Sequence, residues 1–200
     1  MFQQLKNGLG LIAIAVVGYF FFFGDGGGEQ TADLGQVLDR TEFTLVQYDM
    51  YLQETGVQEV AADQIDEFLV AYRDVLNYEP RFYDQPIGVS VLDDGSFLGF
   101  ADANGNTVQD SDEGRVFTVE IDEENNRLIA TDVAGNSTGL RFSGTGFVAG
   151  ALLGHFLGKQ RAAGIPRNGF ANRSVTDRAS YRAPSSARTG ARSGGLRAGK

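Results

Sequence analysis

There is no cysteine among the 200 residues of the chain. That excludes a disulfide framework, a thiolate metal centre and an acylated lipoprotein anchor. Histidine occurs once, as His155, inside an apolar stretch. A Ser-His-Asp constellation therefore cannot be assembled in the acidic body of the chain. Positive charge is scarce in the middle: residues 25–141 hold 25 acids against six arginines, a net charge of −19. Large apolar residues are scarce at the end. Residues 160–200 are mainly Arg, Ser, Ala and Gly, a composition that cannot bury enough surface to offset ordering, and it predicts disorder.

What is present divides sharply by charge. From Lys159 onward ten Lys or Arg face the single acid Asp177, a net charge of +9. Asymmetry of this size points to parts that meet different surroundings. Two uncharged stretches add to the pattern. Residues 7–24 (NGLGLIAIAVVGYFFFFG) lie near the lower length limit for a membrane-spanning helix. They end in Phe20–Phe23 instead of a small-residue cleavage site, which favours an uncleaved anchor over a secretory signal. Residues 142–158 form the second stretch, with Gly146, Gly150, Gly154 and Gly158 four apart. On a helix this spacing makes a small-residue stripe, the pattern that drives helix association in lipid.

With Lys6 before the first stretch and the basic tail after the second, the positive-inside rule predicts two spans. Both ends would be cytoplasmic, and the acidic part would lie outside a bacterial inner membrane. A zipper lying in one leaflet is the alternative for the second stretch. His155 is then an interfacial residue near Lys159 rather than a proton relay.

Between the stretches the periodicity predicts an α+β domain. Thr31 is placed to cap a helix with Leu34, Val37, Leu38, Leu45, Tyr48 and Leu52 on its apolar stripe. Val46, Tyr48, Met50 and Leu52 also alternate, which leaves a strand open there. Asp63 is placed to cap a second helix with Phe68, Leu69, Tyr72 and Leu76 inward, ended by Pro80. From Ile87 the period becomes two. Ile87–Val91, Phe97–Ala101, Val116–Asp122, Arg127–Thr131 and Thr138–Phe142 read as an antiparallel meander with turns at Asp94-Gly95 and Gly135-Asn136.

The expected organisation follows. Residues 1–24 are an anchor, 25–30 a linker and 31–141 an acidic domain of two helices on a small β-meander. Residues 142–158 are a glycine-zipper helix, and 159–200 a disordered basic tail.

One loop carries candidate chemistry. Asp102-Ala103-Asn104-Gly105-Asn106-Thr107-Val108-Gln109-Asp110-Ser111-Asp112-Glu113 resembles an EF-hand calcium loop. Asp102, Asn104, Asn106, Asp110 and Glu113 stand at ligand positions one, three, five, nine and twelve, with the Val108 carbonyl at seven. It departs from the pattern at position six, where Thr107 replaces glycine, and in its strand-like flanks. The plainer reading is a solvated Asx- and Gly-rich turn. Calcium is the one cofactor the sequence offers. The tail arginines suit anionic lipid or an acidic protein better than nucleic acid, because few aromatics are interleaved with them.

The stretch GTGFVAGALLGHFLG, followed by RNGFANRS and SSARTGARSGG, resembles YgiB-type and other glycine-zipper bacterial envelope proteins. The resemblance covers about the last quarter of the chain and lacks the lipoprotein cysteine of that group. It implies an envelope role without catalysis. The expectation is a non-enzymatic, membrane-anchored interaction protein that self-associates through the zipper. A calcium-responsive extracytoplasmic module and a small oligomeric pore are the alternatives.

Overall fold

Asp33 opens the first helix, its carboxylate accepting hydrogen bonds from the Gly35 and Gln36 amides at 3.0 and 3.3 Å. The cap thus lies two residues beyond the Thr31 expected for it. The computed structural model describes residues 31–142 and 150–187. Helix α1 (Leu34–Glu54) buries Leu34, Val37, Leu38, Leu45, Tyr48 and Leu52. Tyr48 and Leu52 face inward while Val46 and Met50 are exposed, so the 46–52 segment follows the 3.6-residue period and is no strand.

Helix α2 (Ala62–Leu76) starts after Ala61, whose amide donates to Gln64 Oε1 at 2.9 Å; Asp63 sits inside the first turn. Asn77, not Pro80, closes it. Its side-chain amide donates to the Ile87 carbonyl and its Oδ1 accepts from the Ile87 amide, each at 2.8 Å, fastening the helix end to the sheet.

The sheet runs β1 (Ile87–Val91), β2 (Phe97–Ala101), β3 (Arg115–Asp122), β4 (Arg127–Asp132) and β5 (Ser137–Arg141), each antiparallel to the next. Ile87, Val89, Phe97, Phe117, Val119, Ile121, Leu128 and Ala130 join the core shared with the helices. Helix α3 (Ala151–Ala162) completes that core with Leu152, Leu153, Phe156 and Leu157. Phe156 meets Phe97 edge-on at 4.8 Å and Phe68 at 5.7 Å, and Tyr72 meets Phe97 at 5.5 Å. This aromatic cluster joins α2, β2 and α3, and each such pair adds about 0.5–1.5 kcal/mol beyond simple burial. A sixth strand, β6 (Thr176–Asp177), pairs parallel with β5.

The architecture corrects the expected fold class. Among the described residues it is an α+β domain of three helices and a six-stranded sheet, and none of those helices is long and apolar enough to cross a membrane. The second uncharged stretch is the case in point. Its helix has 12 residues, carries Lys159 and Arg161, and buries its Leu and Phe side chains against its own chain. Gly154 and Gly158 are on the exposed side, where a Cβ added to either would meet no atom within 4 Å. The contact is therefore made by the large residues and not by a small-residue stripe. The two-span topology, the inner-membrane placement with an extracytoplasmic domain, zipper self-association and the pore all lose the element they required. The anchor expected in residues 1–24 and the linker 25–30 lie outside the described residues, as do Gly146 and residues 188–200.

The tail expectation is corrected for residues 159–187. Arg161 bonds Glu123 at 2.7 and 2.9 Å, Arg167 lies 3.2 Å from Glu124, Arg173 bonds Glu120, and Arg178 clasps Asp39 at 2.5 and 2.8 Å. The basic segment straps the acidic body of the same chain. Lipid and acidic-protein partners follow from a charge imbalance that these pairs offset within the molecule.

Candidate cation-binding loop

The β2–β3 connection begins where β2 reaches Asp102, whose amide donates to the Pro86 carbonyl at 2.9 Å. The Ala101 amide donates across to the Gly114 carbonyl at 3.0 Å and closes the loop's mouth. Asp102 is buried, with 3% of its surface exposed. Its Oδ2 accepts from the Thr107 amide at 3.0 Å, so position one reaches back to position six. Its Oδ1 has no hydrogen-bond partner. A buried carboxylate oxygen left bare is costly, and it is the feature of the loop that calls for a ligand.

The remaining donors lie along the same turn. Asn104 Oδ1 accepts from the Asn106 amide at 2.9 Å, and Asn106 Oδ1 from the Val108 amide at 2.8 Å. Both Asn side-chain amides donate to Asp110 Oδ2, at 2.7 and 2.8 Å. The side chains at positions three, five and nine are thus drawn together. Each amide oxygen keeps a second lone pair for another partner. Gly105 and Thr107 have φ of +73° and +66°. The sharp turn that the calcium pattern assigns to glycine at position six is made here by a β-branched residue.

Glu113 does different work. It is buried, and its two oxygens accept from the Ala103 and Asp110 amides at 2.9 and 3.1 Å. It ties the first residues of the loop to the last. The carboxylates alone do not make a metal centre: among the described residues no three His, Cys, Asp or Glu side chains are grouped to hold one. Any cation here depends on amide and backbone oxygens as well. Such a mixed hard-oxygen set with few formal charges fits calcium better than a transition metal.

No family model matches the chain, and no curated protein or solved structure is similar to it. The glycine-zipper resemblance therefore rests on the quoted residues alone.

The other sequence candidates separate. Gly150 is the residue before α3, packed against Asp49, and is not a surface position. His155 sits part-buried on α3. Burial lowers its pKa, Lys159 adds to that, and a hydrogen bond to the Val60 backbone opposes both. The side-chain pairings that sequence reading missed are those of the strap. The buried Arg127–Asp122 pair at 2.6 Å also engages the strap, with Arg127 donating to the carbonyls of Phe170, Ala171 and Arg173. The available signal was the regular four- to six-residue spacing of arginines opposite a strongly acidic body.

Proposed function

We propose that this chain is a non-catalytic, cation-binding α+β domain in which the loop from Asp102 to Glu113 takes one calcium ion. Asp102, Asn104, Asn106 and Asp110 are the side chains that would hold it, with the Val108 carbonyl, while Glu113, expected at position twelve, is engaged by the Ala103 and Asp110 amides and closes the loop instead. A bound calcium would neutralise the Asp102 and Asp110 carboxylates and give the Asp102 Oδ1 a partner. The observation that carries the reading is the bare, buried Oδ1 of Asp102. The extracytoplasmic setting expected for this loop depends on the membrane topology and is not part of the proposal.

With few carboxylates in the set, affinity falls in the weak class, Kd about 10⁻⁴–10⁻³ M. The test is titration of the metal-stripped full chain with calcium chloride, read by amide NMR at Gly105, Thr107 and Asp110. Saturable shifts confined to the loop are expected, and Asp110→Asn should weaken them at least tenfold. Amide positions that stay unchanged to about 10 mM calcium, well above that affinity class, would make the loop a metal-free hairpin connection.

A further inference from the structure

Helix α1 has a second apolar face. Phe43, Val46 and Met50 are 56%, 43% and 49% exposed, at spacings i, i+3 and i+7 on the side directly away from the core. The acids Asp39, Glu42 and Glu54 border them. The helix's one cation does not offset these acids, because Arg40 donates to the carbonyls of Val75, Leu76, Tyr78 and Pro80 instead. Burial, with Asp39 beside it, pushes the Glu42 carboxyl above its ordinary pKa, so a cation placed there would be favoured. This outward face is thus apolar with a negative rim.

The strap already brings one arginine to it. Arg178 clasps Asp39, and Tyr181 Oη accepts from the Leu34 amide at 3.1 Å. The described strap ends at buried Ala187, and Ser186 Oγ lies 2.5 Å from Thr31 Oγ1, just before α1 begins. The following residues, 188–200, contain Arg188, Arg192, Leu196, Arg197 and Lys200 and no acid. The last described residues of the strap thus lie at the start of the acidic helix face. Thirteen extended residues reach about 43 Å, whereas Leu34 to Met50 along the helix is about 24 Å. Residues 1–30, which precede Thr31 in the sequence, carry Lys6 against Asp25 and Glu29, so they lack the charge match.

We propose that residues 188–200 dock along the outward face of α1, their arginine stems covering Phe43, Val46 and Met50 and their charged ends meeting Glu42 and Glu54. Arginine suits both parts of this surface. Its aliphatic stem lies on apolar groups, and its planar head stacks on a ring such as Phe43 while pairing with carboxylates.

The chain contains two methionines, Met1 and Met50, so a ¹³C-methyl methionine spectrum reports on this face almost alone. The full chain is compared with a chain ending at Ala187, and a synthetic peptide of residues 188–200 is then added to the short chain. The Met50 signal should move on shortening and return with the peptide. Recapture should weaken as salt rises, and Glu42→Gln with Glu54→Gln should reduce it about fivefold. A full chain with Arg188, Arg192 and Arg197 each changed to Gln should repeat the Met50 shift without shortening. An identical Met50 signal in the long, short and arginine-free chains overturns the proposal. So does a shift that depends on chain concentration and persists in the short chain, which would assign the face to a second copy.

Discussion

Asp49 of α1 caps α3 from 103 residues away. Its Oδ1 accepts the Leu152 amide at 3.1 Å, and its Oδ2 occupies the place where a Cβ on Gly150 would stand. Helix α3 has no capping side chain of its own, since the preceding residue is glycine. The acceptor that a Ser or Asp would usually supply comes from a neighbouring helix. Gly150 matters because it leaves room for that carboxylate.

This relationship separates the zipper glycines by experiment. Gly150→Ala should displace the Asp49 carboxylate and destabilise the fold by about 1–2 kcal/mol, the usual cost of a lost cap. Gly154→Ala meets no atom within 4 Å and lies inside a helix. It should stabilise by about 0.5–1 kcal/mol. Urea midpoints measure both. Equal effects at the two positions would contradict the cap.

Arg127 and Asp122 form a buried ion pair, and Arg127 also holds three strap carbonyls. Removing one partner of such a pair leaves an uncompensated buried charge, so Arg127→Met should cost about 3–5 kcal/mol. The strap should loosen at the same time, seen as faster tryptic cleavage at Arg167 and Arg173 than at sites in α2. Cleavage that rises uniformly along the chain would mean that Arg127 supports the sheet only.

Glu120 pairs with Arg173, yet its pKa is raised. Burial is the larger cause, Arg173 opposes it and Asp94 adds to it. Its Oε2 is buried without a partner. An acid with a raised folded pKa holds its proton longer in the native state than in the unfolded one. Its contribution therefore weakens the fold as pH rises through and above the ordinary glutamate range near 4.3. Relative to Glu120→Gln, the parent chain should lose stability as pH rises from the ordinary glutamate range near 4.3. Paired denaturation curves taken at and above that range check the sign. A parent that gains on the variant would show that the Arg173 pair outweighs burial.

Thr107 adopts φ +66°, a region that disfavours a β-branched side chain. Thr107→Gly should relieve about 1 kcal/mol of backbone strain, offset in part by the greater freedom of glycine in the unfolded chain. A small rise in thermal midpoint is expected, and the Asp102 Oδ2 bond to residue 107 should survive because it uses the backbone amide. A fall in midpoint would mean that the threonine side chain makes a contact worth more than the strain.

Local periodicity was enough to place much of the domain. Alternation put Phe117, Val119 and Ile121 on one buried face of β3, and helical spacing put Phe68, Tyr72 and Leu76 on the inward face of α2, because those patterns depend on near neighbours alone. The spacing of the Asp102–Glu113 loop was legible for the same reason. Its positive φ at Thr107 was not, since the residue type argues against the conformation that the surrounding hydrogen bonds impose. The destinations of α3 and of the basic segment were decided by tertiary structure. An uncharged run of Leu, Phe, Gly and Ala has the same hydropathy whether lipid or protein covers it; here Phe68 and Phe97 cover Phe156. A cluster of opposite charges likewise does not say whether its complement is another molecule or the same chain. Only folding brings Arg178 to Asp39 and Arg173 to Glu120, because close approach in space is what makes those charges a pair.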